Sequence, residues 1–191
     1  MTQHSYFRSS GYLSNQFIKT DSGNNIDLTQ IPSFLRTLMV TDGTVTKSLE
    51  AWFWEPVSVE VVSNQLESLL GPVEGLEVKS GDRVLQREVI LLGQNTHQKF
   101  ACARSTVSIK HLPSDIGDSL GKGEIGIGEL LREKGVETYR DIFDIDYISE
   151  INKNDALLSK LAGELLSRSY RIRVNGIAAI IVTEYFPVGI Y

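Results

Sequence analysis

The sequence predicts an α+β fold on three observations: two β-hairpins with dense apolar strands, short helical stripes elsewhere, and no regular alternation of strand and helix. Asn175-Gly176, set between two apolar runs from Ser167 to Phe186, is the clearest of these signals. Both residues tolerate the positive φ of a type I′ turn, so the pair marks a hairpin. A two-residue turn sets Val174 opposite Ile177, Ile172 opposite Ala179 and Tyr170 opposite Ile181. Arg173, Arg171, Ala178, Ile180, Val182, Glu184 and Phe186 then share the other face, where Glu184 is a carboxylate in an apolar row. An unpaired buried carboxylate is costly or changes its protonation. Glu184 is therefore half of a structural ion pair, a strand end emerging into water, or part of a functional site, and the sequence leaves all three open.

The elements before that hairpin follow in order. Residues 1–28 read as a polar lead-in to a single domain spanning 1–191. The stretch Thr20 to Asn25 is turn chemistry; as a calcium loop it fails, because Ile26 stands where glycine is needed and no Glu occupies the last position. Pro32 opens a helix through Val40, with Ile31, Phe34, Leu35 and Leu38 as its apolar stripe. Asp42-Gly43 makes a turn, and Thr44 or Thr46 caps a short helix running through Glu50. The same threonine-rich turn exposes hydroxyls and amides of the kind that bind anions. Strands are predicted over Val57–Val62, Val84–Leu92 and Phe100–Ile109, the last two forming a hairpin across a polar turn. Period 2 sets Arg87 among Leu85, Val89 and Leu91, and Arg104 with Phe100, Cys102 and Thr106. Either arginine could lay its stem over apolar surface and reach water. Taken with Glu184, the two point to a polar pocket within the core, suited to an anion gripped by a guanidinium fork.

Gly121 to Gly126 matches G-x-G-x-x-G, but no strand precedes it, so a dinucleotide site is not expected. Ile127 to Lys134 reads as a helix ended by Gly135. The stretch from Glu137 to Glu164 is acidic, and Asp144 and Asp146 fall on one face of an edge strand, read as solvated rather than metal-binding.

Composition narrows the function. The 191 residues are 41% hydrophobic, enough for a sizeable core, and carry a net charge of −5 with no basic cluster, which argues against nucleic-acid or anionic-membrane binding. The single Cys102, in an apolar run, excludes an internal disulfide framework and reads as a core residue. His4, His97 and His111 are scattered, so no metal site is expected. No apolar window is long enough to span a membrane, and a cytosolic, soluble protein is expected.

Five motifs in order carry a family resemblance. They are Asp42-Gly-Thr-Val-Thr-Lys47, Leu85-Gln-Arg-Glu-Val-Ile-Leu91 with Ala103-Arg-Ser-Thr-Val107, Gly126-Ile-Gly128, Arg171-Ile-Arg-Val-Asn-Gly176, and Thr183-Glu-Tyr-Phe-Pro187. Over about Phe34 to Tyr191 the chain resembles the chorismate pyruvate-lyases, and Ser48 to Glu60 is similar to their cyanobacterial, plastid and mycobacterial branch. The resemblance implies a mostly antiparallel sheet with helices packed on it and flaps over a buried pocket. It also implies a cofactor-free, metal-free and monomeric enzyme that takes chorismate to 4-hydroxybenzoate and pyruvate. Carried over by position, Arg87 holds the ring carboxylate and Glu184 meets the ring hydroxyl. The backbone amides of Val45 and Ile127 contact the carboxylate, Thr46 belongs to the same binding turn, and Arg104 guides ligand along the flaps. Effector domains of GntR-type regulators share this fold, so a non-catalytic module for small aromatic acids, or a lyase for a related enolpyruvyl compound, are the alternatives.

Overall fold

The computed structural model describes residues 17–20, 22–122 and 126–191. In chain order the elements are β1 (Phe17–Lys19), β2 (Asn25–Asp27), α1 (Ser33–Val40), α2 (Val45–Phe53), β3 (Val57–Ser68), β4 (Arg83–Gly93), β5 (Lys99–Ser108), α3 (Ser114–Lys122), α4 (Ile127–Glu133), β6 (Thr138–Ile148), β7 (Leu165–Val174) and β8 (Ile177–Pro187). The α+β expectation holds. Strands β3 to β8 form one six-stranded sheet in the order β3-β4-β5-β8-β7-β6, with every neighbouring pair antiparallel. Two three-stranded meanders thus meet edge to edge, and β5 and β8 become central.

One face of the sheet carries the helices. Leu35, Leu38 and Met39 of α1 and Leu49 of α2 pack with Leu91, Phe100, Ala101 and Phe186. Ile116 and Leu120 of α3 and Leu130 and Leu131 of α4 pack with Leu85, Val107, Ile172 and Val182. On the opposite face, Leu157, Leu158 and Leu161 cover Ile90 and Cys102, while Leu76 and Val78 cover Val84. Burial there pushes the Cys102 thiol up to about 12, which leaves it a core residue rather than a nucleophile. The acidic 137–164 stretch therefore divides into edge strand β6 and a following segment whose leucines cover the sheet's far side. Within it, Asp155 accepts the amides of Leu157 and Leu158 and so starts the turn that places those leucines.

β-Bulges decide which side chains share a face. Asn175 and Gly176 have φ of 51° and 81°, as the type I′ turn requires, and Val174 pairs with Ile177. The register then shifts by one residue, so Ile172 pairs with Ile180 and Tyr170 with Val182. This corrects the expected pairing of Ile172 with Ala179 and Tyr170 with Ile181: Ala179 is the extra residue of a bulge, and every β7 side chain beyond it meets the other row of β8. A second bulge, at Phe100, turns that ring away from Cys102 and stacks it on Phe53 of α2, 3.9 Å between centroids. Part of the stretch read as a polar lead-in is described, and it joins the core. Ile26 of β2 is buried in the main core, and Ser22 and Asn24 donate to Asp146, so this carboxylate anchors the first hairpin rather than facing solvent alone. Calcium coordination at residues 20–25 and the glycine pattern at 121–126 fall partly on positions outside the described residues.

Glu55 clamps the β4–β5 turn. Its carboxylate accepts the amides of Asn95 (2.9 Å) and Thr96 (3.1 Å) and the Thr96 hydroxyl (2.7 Å). Gly93 permits this, since a Cβ there would lie 2.4 Å from Glu55 Cδ. The Thr96 hydroxyl, followed by the two amides, holds the Glu55 carboxyl below its ordinary 4.5. A carboxyl lowered on folding adds stability above its unfolded value and loses it as pH falls through the folded one. Glu55→Gln is therefore expected to unfold at lower urea than the parent at pH 7, with the gap closing as pH drops below about 4.5. A gap independent of pH would place the effect elsewhere.

Candidate active site

Between the helix-bearing face of the sheet and the starts of α2 and α4 lies a cavity of about 70 Å³. Val59, Val89, Leu91, Ala103, Ile172 and Val182 supply apolar wall, and Arg87, Arg140, Tyr170 and Glu184 supply the polar groups. Apolar walls with few convergent polar groups are the usual make-up of a small-molecule site.

Arg87 comes from β4 and is 2% exposed. Its neighbours along the strand, Leu85 and Val89, are buried on the same face as the period-2 reading required. Burial pulls its pKa below the ordinary value, so the position works against the charge, and an anion in the cavity would favour it. Glu184, 6% exposed, comes from β8 and lines the same cavity. The two charges that sequence reading set in apolar rows therefore converge.

Glu184 is the centre of a buried network. Its Oε2 accepts from Arg168 Nε at 2.7 Å, and its Oε1 accepts from the Tyr170 hydroxyl at 3.0 Å. Arg168 is 1% exposed, and its guanidinium carbon lies 5.1 Å from the centre of the Tyr170 ring. Burial opposes the charge on Arg168 most strongly, but the attractions of Glu184 and Tyr170 together with the Glu184 hydrogen bond outweigh it and raise its pKa. The Tyr170 hydroxyl is pushed up by burial and so remains a donor. Of the three readings of Glu184, the strand end in water is excluded, and the ion pair is present at the cavity wall.

Arg168 and Tyr170 were not foreseen as partners of Glu184. A hairpin without a bulge puts Arg168 on the opposite face; the extra Ala179 restores it to register with Glu184. The available signal was the one used for Arg87, a cation in the otherwise uncharged run Leu165 to Tyr170.

Arg168 reaches further, to the backbone that enters α2. Its Nη1 donates to the carbonyls of Leu38 and of Thr41, the latter at 2.7 Å. Arg140 Nη1 donates to the next carbonyl, Asp42, at 2.9 Å. Two arginines thus hold the turn from which Thr44, Val45 and Thr46 line the cavity. Neither α2, begun at Thr44, nor α4, begun at Gly126, has a side-chain cap, so the first amides of each helix are not taken by capping side chains. Val45, Thr46 and Ile127 all line the cavity.

Arg104 does not join them. It lies on the far face, where Nε meets Glu88 at 2.8 Å and Nη2 meets Asp155 at 2.6 Å. Those carboxylates, Asp155 first, raise its pKa. The physical reason is parity: Arg104 pairs with Glu88 and Thr183, residues offset by one from Arg87 and Glu184. Among the described residues no group of three or more His, Cys, Asp or Glu is placed to hold a metal ion, and no helix is long and apolar enough to cross a membrane.

Comparison with known proteins bears on the same region. The model of the family described as "Chorismate pyruvate-lyase Rv2949c-like" matches residues 39–191. The chorismate pyruvate-lyase of Mycobacterium leprae is 32% identical over 154 residues, covering 80% of this chain and 73% of that protein. That of Mycobacterium tuberculosis (strain H37Rv) is 28% identical over 157 residues, covering 80% and 78%. Among solved structures, the effector domain of PhnF from Mycobacterium smegmatis is similar with a TM-score of 0.59 at 14% identity, covering 78% of this chain and 90% of that one. The C-terminal domain of a histidine utilization repressor from Pseudomonas syringae gives 0.52 at 14%, covering 71% and 94%. At such identity these two likenesses are of fold alone.

Proposed function

This chain belongs to the Rv2949c-like chorismate pyruvate-lyase family, and on that premise we propose that it eliminates pyruvate from chorismate to give 4-hydroxybenzoate in the Arg87–Glu184 cavity. The observation that carries the reading is the meeting of a buried guanidinium and a buried carboxylate in one apolar-walled cavity. Chorismate asks for that pair. Its ring carboxylate needs a cation, and its C4 hydroxyl lies para to it and needs an acceptor.

The chemistry needs little beyond placement. Breaking the bond from C3 to the enolpyruvyl oxygen and losing the C4 proton makes the ring aromatic; the released enol takes up a proton and becomes pyruvate. Atoms balance with no water added and no electrons supplied from outside. The protein's contribution is positioning and charge stabilisation. Arg87 fixes the ring carboxylate, and the amides of Val45 and Ile127 add donors. Glu184, its carboxylate oriented from one side by Arg168 and Tyr170, holds the C4 hydroxyl and assists movement of the C4 proton. Arg104, engaged by Glu88 and Asp155 on the other face, has no part in this scheme.

A cavity of about 70 Å³ has room for a few waters rather than a substituted ring. Substrate admission in this reading widens the cavity at its rim, where the starts of α2 and α4 stand, and closure over the ring would exclude water.

The test is incubation of purified protein with chorismate, following 4-hydroxybenzoate and pyruvate together by chromatography. Equimolar formation of both, unchanged by chelator, is the expected result. Absence of turnover together with thermal stabilisation by 4-hydroxybenzoate would favour the second reading, a binding module, which the fold likeness to regulator effector domains supports.

A further inference from the structure

Chorismate carries two carboxylates, and the scheme above engages only one. The cavity holds a second arginine. Arg140, on edge strand β6, lines it together with Arg87 and Glu184. We propose that Arg140 binds the carboxylate of the enolpyruvyl arm and so separates chorismate from monoanionic ring acids; this rests on the chorismate reading of the site.

The order of groups across the sheet carries the argument. Arg87 is on β4, Glu184 on β8 and Arg140 on β6, with β5 between the first two and β7 between the last two. Register ties them to one face: Glu184 pairs with Arg168, and Arg140 pairs with Ile172, the neighbour of Ile180. At about 4.8 Å per strand, the backbones of β4 and β6 are roughly 19 Å apart, and Arg87, Glu184 and Arg140 all reach the one cavity that lies over the strands between them. Across the sheet the charges run cation, carboxylate, cation, with Glu184 and Arg140 set to opposite sides of the Arg87 row, which passes through Ser105, Val182 and Tyr170. In chorismate the arm leaves the carbon beside the one that bears the para hydroxyl, so its carboxylate lies off the axis from ring carboxylate to hydroxyl, as Arg140 lies off the line from Arg87 to Glu184. With the ring carboxylate on Arg87 and the hydroxyl on Glu184, the arm extends toward β6.

Arg140 is also disposed to accept an anion. Among the described residues no carboxylate pairs with it, whereas Arg168, Arg171 and Arg173 all have one. Its Nη1 is fixed by the Asp42 carbonyl, which orients the guanidinium without neutralising it. Its Nη2 passes over Gly128, where a Cβ would stand only 3.3 Å away. The guanidinium therefore sits between the starts of α2 and α4 at the cavity rim.

The test compares two ligands by calorimetry in the parent and in Arg140→Gln: 4-hydroxybenzoate, and 3-(carboxymethoxy)-4-hydroxybenzoate, a stable ring acid with a second carboxylate on the adjacent oxygen. The parent is expected to bind the dianion more tightly. In Arg140→Gln the dianion should weaken at least tenfold more than 4-hydroxybenzoate, whose own loss reports the slackened Asp42 turn, and Arg140→Lys should recover part of the dianion's loss. The chorismate KM should rise in parallel. Equal weakening of both ligands would make Arg140 a strap for the Asp42 turn and overturn the proposal; unchanged binding of both, or a parent blind to the second carboxylate, would overturn it too. Chorismate turnover by the parent is read separately, so failure of the lyase reading shows as lost turnover and not as a changed ligand ratio.

Discussion

Arg168→Ala is expected to lower the melting temperature by roughly 10 °C and to remove turnover. The pair with Glu184 is almost wholly buried, at 1% and 6% exposure, and removing one partner of such a pair leaves an uncompensated charge costing about 3–5 kcal/mol. For a chain of this length each kcal/mol corresponds to roughly 2–4 °C. The same change releases the carbonyls of Leu38 and Thr41, so the turn before Val45 loses its anchor. Calorimetric melting of Arg168→Ala, Glu184→Ala and the double variant checks this. The double variant should be more stable than the sum of the single losses implies, since the second removal takes away the stranded charge. Strict additivity would mean that the two side chains do not act as a pair. Because Arg168→Ala also weakens the fold, Arg168→Lys adds a discriminating readout. It retains the charge but loses the geometry, so it should restore stability more than kcat.

That network shows where the sequence was legible. Asn175-Gly176 has a local physical signature, and the turn stands where it was read. Arg87 and Glu184 each broke an apolar row, and burial turned that conflict into a cavity. Everything that depended on counting across a bulge went astray. Ala179 exchanges the β7 row that meets Glu184, which hid Arg168 and Tyr170, and Phe100 exchanges its own side of β5. An extra residue in a strand leaves no mark in composition or periodicity until its partner strand is known. Helix α3 went unread for a different reason: glycines at 117 and 121 weaken its helical propensity, and only Ile116 and Leu120 mark a stripe. Arg140 was obscured by the acidic residues around it on an edge strand that reads as solvated.

Arg87→Ala should lower kcat/KM for chorismate by about 30- to 4,000-fold, the range that follows from a loss of about 2–5 kcal/mol when one member of a desolvated charge pair is cut away. The size comes from burial. At 2% exposure, and with its pKa pulled down by desolvation, the guanidinium meets a bound carboxylate with little water to screen the pair. A planar fork also fixes the carboxylate in orientation, which sets the angle at which the C4 hydroxyl reaches Glu184. Arg87→Lys should therefore recover binding of 4-hydroxybenzoate better than it recovers kcat, because an ammonium supplies charge without the bidentate plane. Steady-state kinetics with chorismate, calorimetry with 4-hydroxybenzoate and a melting curve for each variant separate the cases. Unchanged kcat/KM in a folded Arg87→Ala protein would remove Arg87 from the site. A loss confined to the two-carboxylate ligand would instead give Arg87 the role assigned to Arg140 and reverse the direction in which chorismate lies across the sheet.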